Sequence, residues 1–444
     1  MDTDRWLLSW ALAGVALGGA SLLVPLYVVA LGGSATALGV LAGTAALAGA
    51  PGALLVGRLA DRTGHRRTYL VGSLGLVAAT LLALPVLPGI WSVVAANAVV
   101  WFAAAAAGPV VTLLSTVGAR EAEWPARFGR LNKYHGWGWA GGLLLGTVWV
   151  AVGTRVATPL LAQRTFFLAC GACAAVGTLG AWRWLPADVR RPRVERVSRA
   201  LARSQRVGVR GSTLPVWPSR LYFATRRLDP RAFVRRLTPR LTAYFGAAAL
   251  FFAGFSAFFA PLPLFLTDPV DGAGFGDGVV FALYLANSVG SAALYARVGD
   301  LASRRDPALL QVGGLGIRAL AFPAVGAAGL WIANDGVALA AVAAAFLVVG
   351  VTWAVIAVTG TTVVTRLAPP AIKGEALGVY AALAAGAGAL GSLLGGVVAE
   401  SGYLPAFAVA GGLAAAGGVC VLALQWAGSG QATRAGRTVE GESD

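Results

Sequence analysis

Few side chains in this 444-residue chain are equipped for chemistry, and where they fall limits what that chemistry can be. Cys170-Gly-Ala-Cys173 has the spacing of a redox or zinc pair. These two and Cys420 all lie inside long apolar runs, where small residues packing in a lipid-embedded helix are the simpler reading. Two Gly-x-Gly-x-x-Gly strings occur, at 136–141 and 386–391. A dinucleotide site would need a strand before each and an acidic residue after it, and neither string has them. The sequence holds two histidines and no HExxH, GxSxG or phosphate-loop motif, so an enzyme is not indicated, and no cofactor or metal is expected.

The remaining titratable groups sit at the margins of apolar runs. Asp61, His135, Asp300, Glu375 and Glu400 are near run ends, and no Asp or Glu lies deep in one. Proton coupling needs a titratable group reachable from both sides, so these five are its only candidates. Arg318 is the sole basic residue well inside a run, where a charge costs at least ~2.5–3.5 kcal/mol. An anionic solute could supply its missing partner. With Gln311 seven residues earlier on the same helical face, snorkelling toward the membrane surface is the simpler expectation.

The elements that hold these residues follow from composition. Hydrophobic residues make up 57% and charged residues 12% of the chain. Soluble domains carry about 25% charge, so the deficit points to an all-α, polytopic membrane protein. Spans of ~20 apolar residues fall at 6–30, 36–56, 68–87, 90–114, 134–153 and 165–184, then at 241–266, 278–296, 308–331, 336–360, 376–398 and 403–426. Asp2 and Asp4 precede the first run, and no cationic stretch does, so it does not read as a cleavable signal peptide.

The net charge of +16 would suit a nucleic-acid binder, but its placement says otherwise. Basic residues fill the even-numbered loops: Arg58, Arg62, Arg66 and Arg67; Arg120, Arg127, Arg130 and Lys133; fifteen arginines in 187–240; Arg297, Arg304 and Arg305; Arg366 and Lys373. The odd-numbered loops hold only Arg155 and Arg164. The positive-inside rule then places both termini and the even loops in the cytoplasm of a cell-membrane protein.

Residues 1–185 and 241–426 thus form two blocks of six spans, joined by an Arg-rich segment, 186–240, and followed by a polar tail, 427–444, expected to be disordered. In the joining segment Val194, Val197 and Leu201 share one helical face, while Arg196, Arg199, Arg203 and Arg206 step along another. Such a basic amphipathic helix suits an anionic inner leaflet. No aromatics interleave that basic face, which argues against nucleic acid.

The blocks repeat one another. Gly57-Arg-Leu-Ala-Asp61-Arg62-Thr-Gly64-His65-Arg66-Arg67 reads as a tight charged turn between two spans. A degenerate copy, Ala296-Arg297-Val-Gly299-Asp300-Leu-Ala-Ser-Arg304-Arg305, follows 239 residues later. Gly129, Gly142 and Gly146 match Gly378, Gly391 and Gly395 at a constant offset of 249, and glycines spaced by four let helices approach closely, so that bundles can slide past each other.

Twelve spans, a long central loop and this turn together resemble the major facilitator superfamily, whose signature is Gly-x-x-x-Asp-Arg-x-Gly-basic-basic. Gly57, Asp61, Arg62, Gly64 and Arg66 match it, with His65 at the first basic place. The resemblance spans residues 6–426 and implies two pseudo-symmetric six-helix bundles around a path lined by helices 1, 4, 7 and 10, open to alternate sides. Gly57 would make room for helix 11, Asp61 would face the positive end of that helix near Lys373 and Gly374, and Arg62, Arg66 and Asp300 would join an inner gate that must break to open. The alternative is a merely topogenic loop.

Departures from the family count as well. Its proton-driven drug antiporters carry an Arg in helix 4 where this chain has Asn97, and a Gly-Pro in helix 5 where it has Gly141-Gly142. Drug–proton antiport is thereby weakened. Tyr27, Asn97, Trp101, Tyr284, Asn287, Thr352, Trp353 and Tyr380 fall on helices expected to line the path and suit a neutral or amphipathic organic solute. The expected function is a secondary or facilitative transporter of a small organic solute, with export as one direction, working as a monomer. A sensor or partner-binding protein built on the same fold is the alternative.

Overall fold

The computed structural model describes residues 5–116, 120, 123–185, 222 and 230–440. The amphipathic stretch at 194–206 lies outside them. Among the described residues, twelve long helices are apolar enough to cross a membrane. They are α1 (Arg5–Ala30), α2 (Ala35–Thr63), α3 (Arg66–Ala83), α4 (Ile90–Leu114), α5 (Trp124–Val156), α6 (Pro159–Trp184), α7 (Pro239–Phe259), α8 (Asp277–Arg304), α9 (Pro307–Trp331), α10 (Asp335–Leu367), α11 (Lys373–Ala399) and α12 (Tyr403–Glu440).

Local chemistry sets several starts. Ser34, Thr158, Thr238, Asp306 and Asn334 each cap a helix by accepting a backbone N–H with the side chain. Pro159, Pro239 and Pro307 take the first position of their helices, where a missing N–H costs nothing. Pro261 follows α7, and the chain resumes as a short helix, Leu262–Thr267.

The helices pack as two copies of one arrangement. In the first six, α1 lies against α5 and α6, α2 against α4, and α3 against α4 and α6. Adding six to each number gives the second set: α7 against α11 and α12, α8 against α10, α9 against α10 and α12. The contacts between sets obey the same rule, α2 with α11 and α8 with α5. Three of the repeated glycines serve this arrangement from inside. A Cβ on Gly142 would strike the Val15 carbonyl of α1, and one on Gly391 the Ala253 carbonyl of α7. Gly142, Gly391 and Gly395 seat α5 on α1 and α11 on α7 within each bundle, whereas Gly146 faces Phe281 of α8 and lies between the bundles, where the repeat was expected to act.

Several helices outrun their apolar windows. α2 continues to Thr63 and α8 to Arg304, so the charged residues expected in turns occupy the last helical turns instead. α5 begins at Trp124 and carries Arg127, Arg130 and Lys133 on its first turns. α12 runs to Glu440 through residues expected to form a disordered tail, with no proline to stop it. A short helix, Pro230–Arg235, lies in the joining segment. One face of the molecule, bearing the α2–α3 and α8–α9 connections, is rich in arginine; the other, bearing the α1–α2 and α7–α8 connections, is poor in it.

Candidate substrate path and gates

The two bundles meet at the Arg-poor face. Gly39 of α2 and Gly396 of α11 oppose one another: a Cβ on Gly39 would lie 2.6 Å from the Ser392 carbonyl, and one on Gly396 2.6 Å from the Ala35 carbonyl. One turn farther in, Gly43 faces the Ala389 carbonyl at 3.3 Å. The other seam, α5 with α8, has Gly278 against Ala151 and Gly146 against Phe281.

Two hydrogen bonds cross at the same level. The Thr36 amide donates to Glu400 Oε1 at 2.9 Å, and Gln163 Nε2 donates to Asp277 Oδ2 at 2.6 Å. The bond from Thr36 holds the Glu400 carboxyl below the usual carboxylate range. Sequence reasoning had Glu400 as a titratable end group but missed Asp277 and Gln163. An amide–carboxylate pair 114 residues apart leaves no local signal.

Toward the Arg-rich face the seam parts. On α2 the burial seen at Ala35, Gly39 and Gly43 gives way to Leu47, 57% exposed. On α11, Ser392 and Ala389 are buried and Ala382 is exposed. An added Cβ on Gly374, at the Arg-rich end of α11, would have nothing within 4 Å.

The signature residues gather around a partner from elsewhere than expected. A Cβ on Gly57 would sit 2.7 Å from the Tyr222 ring, so the notch accommodates the segment joining the bundles and not α11. The Tyr222 hydroxyl donates to Asp61 Oδ2, and Arg66 Nη2 lies 3.6 Å from Asp61 Oδ1. Asp61 therefore faces Tyr222 and Arg66 in place of the α11 terminus. Gly64 ends α2 in a left-handed conformation, φ 78°, with its N–H donated to the Ala60 carbonyl. Arg62 points to solvent, and Arg67 donates to the Trp182 carbonyl of α6. In the second copy Asp300, Arg297 and Arg304 are all exposed. The contacts of Asp61 with Tyr222 and Arg66 are made while the Arg-rich ends of α2 and α11 stand apart.

The path candidates divide into three sets. Tyr27 is fully buried against α6, edge-on to Phe167; its hydroxyl donates to the Pro85 carbonyl (3.4 Å) and accepts from Arg164 Nε (3.3 Å). Its place is inside the N-terminal bundle. Asn97 is buried in α4. Trp101 faces Trp139 of α5 at 6.3 Å, and buried His135 stacks on Trp10 at 5.0 Å.

The C-terminal bundle gathers the rest. Tyr284 packs on Phe346 and Phe259, and the Asn287 backbone meets Gly350 of α10. Buried Tyr380 stacks on Tyr244 at 6.2 Å, and the Tyr244 hydroxyl donates to Gln311 Oε1 at 3.0 Å.

Arg318 overturns the snorkelling expectation. It is 1% exposed and turned into its bundle. Nε donates to Thr352 Oγ1 at 3.2 Å and Nη2 to the Val349 carbonyl at 2.5 Å. The guanidinium lies over the Phe255 ring at 4.4 Å, with Trp353 at 5.5 Å and Phe322 at 5.7 Å. Helix α9 turns this face to α10, so a long side chain reaches inward more easily than out.

These features coincide with what the chain is similar to. Residues 6–391 match the family model of the Major Facilitator Superfamily. No curated protein matches the sequence. The crystal structure of the nucleoside transporter NupG superposes with a TM-score of 0.73 at 16% identity, covering 96% of this chain and 99% of that one. The peptide transporter POT in complex with sulfate superposes at 0.66 and 16% identity, covering 96% and 94%. With twelve spans in two related bundles and the signature turn at the end of α2, this chain belongs to the Major Facilitator Superfamily and is a multi-pass transmembrane transporter.

Proposed function

We propose that the protein moves a small organic solute by alternating access, with both termini and the Arg-rich face in the cytoplasm of a cell membrane. The observation that carries this is the asymmetric seam: α2–α11 and α5–α8 close at the Arg-poor face, and α2–α11 parts toward the other. With the Arg-rich face inside, the conformation is inward-facing. Trp101, Asn97, Tyr284, Asn287, Trp353 and Tyr380 are the residues offered as the solute path. Gly57, Asp61 and Arg66 pin the joining segment through Tyr222, and the basic residues of that segment meet the anionic leaflet.

Nucleosides and peptides, handled by the superposable transporters, are the first solutes to assay. In proteoliposomes the expected result is saturable flux. On a background lacking the three native cysteines, a disulfide between Gly43→Cys and Ala389→Cys should stop it, and reduction should restore it. Solute binding without flux in any orientation would overturn transport and leave a sensor. Flux unaffected by the disulfide would overturn the gating.

A further inference from the structure

Arg318 is a cation buried among aromatic rings. Among the described residues no carboxylate pairs with Arg318, and Nη1 has no hydrogen-bond partner. The other guanidinium nitrogens are occupied by α10, through Val349 and Thr352. The Thr352 hydroxyl donates to the Val349 carbonyl at 2.9 Å, so its free lone pair is the one offered to Arg318. The guanidinium is thus held in one orientation from α10, with a single N–H₂ edge left open. Two turns back along the same face of α9, about 10 Å by helical rise, Gln311 has the same condition. Its Oε1 is taken by Tyr244, and Nε2 is buried without a partner.

A brace between α9 and α10 would not need a charge. A neutral amide can reach the same carbonyl, and burying an unpaired cation in apolar surroundings costs several kcal/mol, to order of magnitude. Retaining the charge makes sense where an anion arrives. One positive charge in a dry aromatic box can neutralise one negative charge; a dianion would leave a net charge behind. The walls are flat rings, Phe255, Phe322 and Trp353, and Trp353 is the partly exposed one.

On the reading of the chain as a solute transporter, we propose that Arg318 anchors the carboxylate of an organic monoanion through Nη1, with Trp353 turning aside to admit the solute's flat apolar body against Phe255. Gln311 Nε2 then serves an acceptor at the solute's far end.

The test uses the full-length protein in nanodiscs and three acids, benzoate, 1-naphthoate and octanoate, each against its uncharged amide. Binding is read by quenching of tryptophan fluorescence, with Trp353→Phe identifying the reporting ring. At least one acid should bind about 10-fold or more tighter than its amide, the scale of a charge-assisted pair. Arg318→Gln should bring that acid to the level of the amide. Should Arg318→Gln fail to fold, Arg318→Lys, which keeps the charge and loses the fork, should retain part of the preference. Equal binding of acid and amide across all three pairs overturns the proposal, as does an acid preference that survives in Arg318→Gln. Flux of a nucleoside or dipeptide with no acid preference removes the anchor and leaves the transporter. Selective acid binding without any flux does the reverse.

Discussion

The two ends of the inter-bundle seam are built from different materials. At the Arg-rich end stand the residues that a reader of the sequence notices first, Asp61, Arg62 and Arg66, with their weaker copy around Asp300. At the Arg-poor end stand Gly39, Gly43 and Gly396, two hydrogen bonds and no signature. The conspicuous end is the parted one, and the inconspicuous end is closed. Charge is visible in a sequence because it is rare between apolar runs. A gate made by backbone meeting backbone is not, because a glycine that admits another helix looks like any other of the 60. The charged cluster holds the joining segment to α2, while glycine contact determines where the bundles touch.

A bulky side chain at the glycine seam gives the sharpest contrast. Gly39→Leu would force a branched side chain into a space where even a Cβ lies 2.6 Å from the Ser392 carbonyl. Overpacking of this kind costs ~1–3 kcal/mol, enough to lower the closed-to-open ratio about 5- to 150-fold. Spin labels at Ala30→Cys and Ser401→Cys, both exposed at the Arg-poor end, should report a longer distance. Gly374→Leu, at the other end of α11, should leave that distance unchanged, because nothing lies within 4 Å of its added Cβ. A shift in the second variant, or none in the first, would end the assignment of the gate to glycine contact.

The two charged copies separate next. Asp61→Asn removes the charge that Tyr222 and Arg66 share, in a site where both partners of the ion pair are nearly buried. Hydrogen bonds to a charged group contribute about 1.5–3 kcal/mol. Amide exchange over the last two turns of α2 should therefore accelerate by about 10-fold or more, with the Ala30–Ser401 distance unaltered. Asp300→Asn should change neither, since that carboxylate is exposed. Equal effects from the two would restore the copies to equal standing.

The sequence showed the twelve spans, their division into sixes and the family, because apolar runs and charge placement are one-dimensional properties. It lost the helix ends, because membrane thickness limits an apolar window and not a hydrogen-bonded backbone. α2 and α8 carry on through Asp61 and Asp300 into water. It identified Arg318 as the residue out of place. It did not show where the side chain turns, because the face of α9 that meets α10 is set by packing across the bundle. Tyr222, Gln163 and Asp277 were out of reach for the same reason. Each is an ordinary residue whose partner is more than a hundred positions away.

The polar half of the closed seam can be taken apart separately. Gln163→Leu removes the donor to Asp277 and leaves a partly buried carboxylate without it, a loss again of about 1.5–3 kcal/mol. The same spin-label pair should show a broadened distribution with a minor long component. Asp277→Asn, which can still face the amide but lacks the charge, should broaden it less. A larger effect from Asp277→Asn would mean that the carboxylate serves something besides Gln163.

The smallest effect belongs to Glu400, and it carries a sign. Its carboxyl is held below the usual range by the Thr36 amide, with Ser34 and Thr36 side chains adding to that, so closure favours the ionised form. The contribution is whole at pH well above the ordinary glutamate value and is lost as the pH falls through the lowered one. On an Asp277→Asn background, which removes the neighbouring seam carboxylate, acidification from about pH 6 to 4 should weaken closure slightly. The Ala30–Ser401 distribution should broaden and recover on return to neutral pH. Glu400→Gln should make the distribution insensitive to pH over that range. Because the carboxyl is largely in water, screening keeps the effect small, and added salt should reduce it further. If acid instead tightened the seam, Glu400 would have to be protonated in the closed form, and the Thr36 bond would not be what holds that end of α2 to α11.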